Sequence, residues 1–488
     1  MLLLHASRRR SHDTETVDRK SARYMRGTTN LPTTPVDDPG ARPDGGGSAV
    51  TAIAGWSDET LLGDLARAAF EYFPLNTHPD NGLVADTSRE NSPCSIAVVG
   101  FAFTAWSVAA ARGWVERREA VRHILAGLRF FRDSDQSGSP VATGFKGFYY
   151  HFLDMQTGAR VWRSELSMVD TALLIAGALT ARMYFDAPSP DETELRELAE
   201  TLYRRIDWRW AQDQAATIRM GWKPESGFLH YGWEGYTEAV VMYALALGSP
   251  THPIGRDCYQ AWTSTYQWEN LYGRDFLYAG PLFVHQFSHA WIDFRGIRDR
   301  FMREKRFDYF ENSRRAVYIQ REYTRRNPHE FAGYDENGWG LSACEGPTGT
   351  VVGASGAAWQ GIGYAARGVP YGPDDGTLSV PAVLASLPFA PEIVLPALRN
   401  LLARYPEVLS EHRLSTGVNP TWADTGGRPW VSPGHYGLDQ GIVLMMIENH
   451  RNATIWQWMR ACPYLRRGLE QAGFGGGWLH RAADEEDR

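Results

Sequence analysis

Trp162-Arg163-Ser164-Glu165-Leu166-Ser167-Met168-Val169-Asp170-Thr171 runs without a break into Ala172-Leu173-Leu174-Ile175-Ala176-Gly177-Ala178-Leu179. A charged turn becomes a segment that is apolar on every side. Ser167 is placed to cap the helix that follows, its hydroxyl accepting from one of the free N–H groups of the first turn. A helix without a polar face must be buried. Its entrance loop, carrying Arg163 and Glu165, then lies where the core meets the surface, a common position for an active site. His230-Tyr231-Gly232-Trp233-Glu234-Gly235-Tyr236-Thr237-Glu238 repeats the theme, with carboxylates, aromatics and glycine ahead of another apolar helix.

Outward from these stretches, helical periodicity dominates. Expected helices cover an amphipathic run from Ser57 or Asp58 through Phe70, then 95–112, 116–132, 168–183, 192–210, 236–247, 253–266, 282–302, 307–327, 357–366, 379–387, 391–404 and 437–449. Members that are apolar all round alternate with members carrying one apolar stripe. Six buried helices ringed by six outer ones make an all-α (α/α)6 barrel, which is the predicted fold. The connecting loops hold the unusual residues. A short β-hairpin is expected where 147–152 faces 159–162 across the turn at 154–158. Residues 1–54 show no hydrophobic period and are Pro/Gly-rich, so a disordered segment is expected there. Residues 55–485 read as one domain.

The bulk numbers are those of a globular protein. The chain has 488 residues and a net charge of −7, which argues against binding nucleic acid through phosphate attraction. Its 18 Trp and 22 Tyr exceed ordinary usage. Sugar clefts use flat aromatic faces, because pyranose rings present apolar C–H patches; large helical proteins also bury many such rings. The four cysteines are scattered, with no zinc or disulfide pattern. The N-terminus lacks the apolar core of a signal peptide, and no segment reads as a membrane span, so a cytoplasmic protein away from membranes is expected.

Glycoside cleavage needs one carboxyl to protonate the leaving oxygen and a second to act as base or nucleophile. Candidates are Asp154, Glu165, Asp170, Glu234, Glu238, Asp335, Glu336, Glu345, Asp424 and Asp439. Glu234 lies between Trp233 and Gly235-Tyr236, where packing against aromatics would raise its pKa and suit it to donate a proton. Glu165 could instead be engaged by Arg163. Asp170 suits the first turn of its helix, and Glu238 reads as support. His285 and His289 have helical metal-pair spacing but lack the glutamate of H-E-x-x-H. Neither a metal nor another cofactor is expected.

Trp162 to Leu174, Gly232 to Glu238, Phe287-Ser288-His289-Ala290-Trp291-Ile292-Asp293, Tyr334-Asp335-Glu336-Asn337-Gly338-Trp339-Gly340 and Gly437-Leu438-Asp439-Gln440-Gly441 resemble, in the same order, motifs of the glucoamylase-like family. That family includes bacterial β-1,2-glucanases of glycoside hydrolase family 144 and the processing domain of cyclic β-1,2-glucan synthases. The resemblance covers about residues 56–460. It implies an (α/α)6 barrel that hydrolyses β-1,2-glucan, endo-acting or sophorose-releasing, with inversion. It also implies an oligo- or polysaccharide as partner. Carried over, Glu234 is the expected proton donor, and Glu165 the acid that activates or positions water. The two roles could be exchanged, or a water chain from Asp154 could serve as base. Asp154 and Asp424 are further cleft acids, and the loop around Asp424 matches least clearly. Tyr149, Trp233, Trp291, Trp339 and Trp422 are the expected aromatic walls, with core packing as the alternative for each. Arg163, His230 and His289 complete the substrate-binding set. Competing readings are a transglycosylase or phosphorylase on the same sugar, a hydrolase of another glucosidic linkage, and a silent carbohydrate-binding protein.

Overall fold

The computed structural model describes residues 55–352, 356 and 358–479. The expected disordered segment 1–54 lies outside the described residues, as do 480–485. Helices dominate. In chain order they are α1 (Asp58–Asn76), α2 (Ile96–Ala111), α3 (Arg117–Asp133), α4 (Met168–Tyr184), α5 (Pro190–Arg205), α6 (Trp208–Gln212), α7 (Val240–Gly248), α8 (Arg256–Thr263), α9 (Phe287–Trp291), α10 (Arg300–Lys305), α11 (Tyr309–Arg326), α12 (Val380–Ala385), α13 (Pro391–Arg404), α14 (Gly437–Asn452), α15 (Thr454–Arg460) and α16 (Pro463–Gln471). Ser167 caps α4 as expected, its Oγ accepting from the Asp170 N–H at 3.2 Å. Ser57 caps α1 in the same way, through the Thr60 N–H.

The two kinds of helix separate as the sequence pattern requires. Every residue of α7 and α12 is buried, and so is nearly every residue of α2 and α4. The amphipathic α1, α3, α5, α11 and α13 bury one face and keep charges on the other. Buried helices touch buried helices: α2 packs on α4, α4 on α7, α14 on both α2 and α12. Outer helices back them, α3 against α5 and α1 against α14.

The tightest of these contacts is made by glycines. A Cβ on Gly177 would overlap the carbonyl of Gly100, and a Cβ on Gly100 would overlap the carbonyl of Leu173. Backbones of α2 and α4 therefore touch where they cross. Gly468 in α16 does the same against Ala244 in α7.

Between helices, short strands gather. The largest sheet has five, β1 (Gly144–Phe145), β2 (Phe148–Tyr150), β3 (Leu166–Ser167), β4 (Gly221–Lys223) and β5 (Gly227–Phe228), each antiparallel to the next. Tyr149 pairs with Ser167, and Leu166 with Trp222. The expected hairpin exists in shorter form. Leu153 bridges Arg160, and the Asp154 N–H donates to the Ala159 carbonyl at 2.7 Å.

Some expected helices are corrected. The run 192–210 breaks at Ile206, whose ψ of 123° is extended, and Asp207 then caps the separate α6. The run 282–302 divides into a 3-10 turn at Leu282–His285, then α9 and α10. The described part of 357–366 is strand, not helix: Ala358–Ile362 pairs antiparallel with Thr348–Val352. Gly361 and Gly363 disfavour a helix there, and Gly363 takes a φ of 64°. Helices α15 and α16 lie beyond the last one expected.

Gly177→Ala is expected to lower stability by about 1–3 kcal/mol in urea denaturation, because the methyl group has no space at the crossing. Gly63→Ala, in α1 with only the Arg451 guanidinium near 4 Å, should instead stabilise by about 0.5–1 kcal/mol.

Candidate active site

Main-chain hydrogen bonds stitch the entrances of the buried helices together. The first N–H of α14, on Gly437, donates to the Asp86 carbonyl at 2.8 Å. The Ile96 N–H at the start of α2 donates to the His151 carbonyl at 3.3 Å. The His151 N–H donates to the Glu165 carbonyl at 2.9 Å, just before α4. Strand β3 then pairs with β4, whose hairpin returns to Gly232 through its bridge to Arg219. Asp86, His151, Glu165, Asp170 and Asp439 are thereby carried to one end of the helical core, with the Glu234 loop beside them.

His151 is the centre of this group. Its Nδ1 lies 3.1 Å from Glu165 Oε1, and its Nε2 lies 3.6 Å from Asp170 Oδ2. The Phe152 ring stacks on the imidazole at 4.0 Å and 12°. Burial would lower the imidazole pKa, but the two carboxylates outweigh it and raise the pKa above the ordinary value. Burial likewise would raise Glu165, yet the hydrogen bond and charge of His151 hold it down to about 2. Glu165 is therefore a firmly ionised carboxylate. Asp170 is steadied by the Ser167 hydroxyl, which donates to its Oδ2 at 2.5 Å.

Three neighbouring carboxyls go the other way. Burial pushes Asp86 up to about 6, with His151 opposing and Asp170 assisting. Burial pushes Asp439 to about 7, tempered by Thr416 and assisted by Asp86. Glu238 also rises to about 7 through burial. Oε2 of Glu238 and Oδ2 of Asp439 have no hydrogen-bond partner among the described residues. One cluster thus holds an ionised carboxylate beside carboxyls that keep a proton near neutrality, the division of labour that acid–base catalysis requires.

On the far rim Arg89 reaches Glu345 and donates to the Pro433 carbonyl at 2.8 Å, with its guanidinium over Tyr436. Ser432 donates to Glu345 at 2.5 Å. Tyr364 stacks on Tyr436 with centroids 6.0 Å apart.

Several expected site residues fall at this place. Glu165 does, and Arg163 projects from the same turn, approaching Glu225 at 4.0 Å. Glu234 is exposed, not enclosed by its aromatic neighbours as expected; it follows Trp233, whose N–H donates to the Ile218 carbonyl at 2.9 Å. His230 is exposed beside Tyr231. Trp233, expected as an aromatic wall, is instead buried beneath this loop.

Other expected site residues are corrected. Tyr149 is fully buried; its hydroxyl donates to the Phe131 carbonyl at 3.2 Å and accepts from Arg205. Trp291 is fully buried, donating to Thr104 at 3.2 Å and packing on Phe101. Trp339 is equally enclosed. His289 is buried against Phe294 and Phe389, 3.0 Å from Ser313, and burial lowers its pKa to about 3. Core packing, the alternative for these aromatics, accounts for them, and a sugar does not reach them. Asp154 turns back on its own loop, accepting from the N–H groups of Gln156 and Thr157 at 3.1 and 2.8 Å. Asp424 does likewise with Gly426 and Arg428. Both carboxyls are held below their ordinary range by those donors and act as turn caps. Trp422 is half-buried on a 3-10 turn.

Sequence reasoning missed His151 and Asp86. His151 hid inside an aromatic run read only as hairpin. Asp86 precedes a buried helix by more residues than Glu165 does, and only the Gly437 hydrogen bond brings it in. Asp439 stood among the candidate acids without a role.

Glu238, buried with a pKa near 7 against an ordinary value of about 4.3, predicts a pH dependence. Stability tied to its neutral form is fully present below about pH 4 and is lost as pH rises through about 7. Glu238→Gln should match the wild type near pH 4 and exceed it at pH 8 by about 1–3 kcal/mol, read by denaturant unfolding at the two pH values.

Comparison with known proteins follows the same line. The family model described as "putative glucoamylase" matches residues 230–463. The exo β-1,2-glucooligosaccharide sophorohydrolase (non-reducing end) of Parabacteroides distasonis is 26% identical over 454 residues, covering 85% of this chain and 58% of that protein. The chain therefore spans less than two thirds of that relative's length. Among solved structures, a "putative glucoamylase" from Bacteroides uniformis superposes with a TM-score of 0.76 at 27% identity, covering 87% of this chain and 99% of the other. The β-1,2-glucanase of Parabacteroides distasonis gives 0.75 at 25% identity, covering 86% and 60%. Sequence and fold agree, and the resemblance to the glucoamylase-like family carried by the motifs is borne out.

Proposed function

We propose that the protein hydrolyses β-1,2-linked glucose chains with inversion, at the loop end of an (α/α)6 barrel. The alternation of wholly buried and one-faced helices, with α14 packed on both α2 and α12, supports the barrel. The observation that carries the chemistry is the His151–Glu165 pair: a carboxylate held ionised at the mouth of a buried helix, with the accessible Glu234 on the adjoining loop. The β-1,2-glucan-cleaving relatives supply the substrate class.

In this reading Glu234 gives its proton to the leaving glycosidic oxygen as the C1–O bond breaks. Water attacks C1 from the opposite face and yields its proton to Glu165, directly or through a second water. Inverting enzymes keep the two carboxyls roughly 6.5–9.5 Å apart to admit that water. A second reading assigns the donor to Asp439, because burial keeps it protonated to about pH 7.

Incubation with linear and cyclic β-1,2-glucans, with and without phosphate, followed by product sizing and anomer assignment, tests the proposal. Free sophoro-oligosaccharides of inverted configuration, independent of phosphate, are expected. Glu234→Gln and Glu165→Gln should each lower kcat by about 10²–10⁴-fold. A Glu234→Gln enzyme that keeps its rate while Asp439→Asn loses it moves the donor to Asp439.

His151→Asn removes the cation that holds Glu165 down. The acidic limb of the kcat/KM profile should then move to higher pH by about one unit or more; an unmoved limb rules out Glu165 as the group that titrates there.

A further inference from the structure

Trp162 and Arg163 both adopt left-handed backbone, with φ of 55° and 50°. For residues with a side chain this conformation costs about 1–2 kcal/mol each. Two in succession persist only where the surroundings enforce them. Here they do. The Val161 N–H donates to the Phe152 carbonyl at 3.1 Å, and the Ser164 N–H donates to the Val161 carbonyl at 3.0 Å. Arg160, itself buried, donates to the Ser164 carbonyl at 2.5 Å and grips Glu225 at 2.7 Å. The turn is pinned on both sides.

This strained, pinned turn turns a tryptophan outward. Trp162 is 64% exposed, although burying an indole is ordinarily favourable. The ring is not loose. It leans on Phe152, centroids 5.0 Å apart at 56°. Phe152 lies flat on His151, and His151 holds Glu165. Two aromatic rings separate the exposed indole from the ionised carboxylate, so the four groups form one chain of contacts.

We propose that Trp162 is the stacking platform for a glucosyl unit beyond the bond being cleaved, so that it sets the chain-length preference of the enzyme. This rests on the β-1,2-glucan reading above. A pyranose ring offers C–H faces that stack on an indole held open to solvent. Arg163, 81% exposed on its side chain, stands next to the platform with guanidinium donors for the hydroxyls at the ring's edge. The platform binds a unit that does not react, so its contribution enters through the binding of longer chains.

The test is kcat/KM against β-1,2-gluco-oligosaccharides of increasing length for wild type, Trp162→Ala and Trp162→Phe, with thermal unfolding to confirm that each is folded. In Trp162→Ala, kcat/KM for long chains should fall about tenfold or more, the equivalent of one stacking contact. The shortest chain cleaved should be processed at the wild-type rate. Trp162→Phe should recover most of the loss. Calorimetric titration of a long oligosaccharide into Glu165→Gln, with and without Trp162→Ala, should show the same weakening in binding alone. If wild type cleaves the glucan and Trp162→Ala keeps the same length dependence, the platform is wrong while the proposed function stands. If wild type leaves every β-1,2-glucan intact, the functional reading falls, and the platform with it.

Discussion

The crossing of α2 and α4 fixes the rest. With no side chain on Gly100 or Gly177, two backbones come into contact, and the distance between the two helices has one value. The segments that enter them are then forced together. The strand Cys94–Ser95 pairs with Phe152–Leu153, and β2 pairs with β3. His151 lies between those two pairings, so its ring is delivered to Glu165 and Asp170 by main-chain geometry. A site built this way has little freedom to drift, which suits catalysis that depends on fixed distances.

Position alone would leave a crowd of acids. What separates them is who has a cation. His151 serves Glu165 and Asp170, whereas Oε2 of the buried Glu238 and the buried Oδ2 of Asp439 have no partner among the described residues. The same low-polarity surroundings therefore deepen the ionisation of one carboxyl and suppress that of others. No carboxyl needs an unusual local sequence for this; the imidazole divides them.

This explains which features could be read from the chain. The helices were legible because burial imposes a period, and Ser167 announces its cap by type and place. The positions of Glu165 and the Glu234 loop were legible because each stands before such a helix. The aromatics were not, because a tryptophan in a sugar cleft and one in a core look alike in sequence; Trp291 and Trp339 went to the core. The strand at Ala358–Ile362 was missed because its partner Thr348–Val352, not its own residues, defines it. His151 and Asp86 owe their roles to contacts across the chain, which periodicity does not record.

The left-handed pair at Trp162 and Arg163 has a consequence for engineering. Glycine at position 163 would relieve strain there, by an amount similar to other left-handed sites, about 1 kcal/mol. A selection for heat resistance alone would therefore favour that replacement, and would loosen the turn that presents the indole. If the indole is the proposed platform, thermostability and grip on long chains are set against each other at a single residue, and extra stability is better sought at a site such as Gly63.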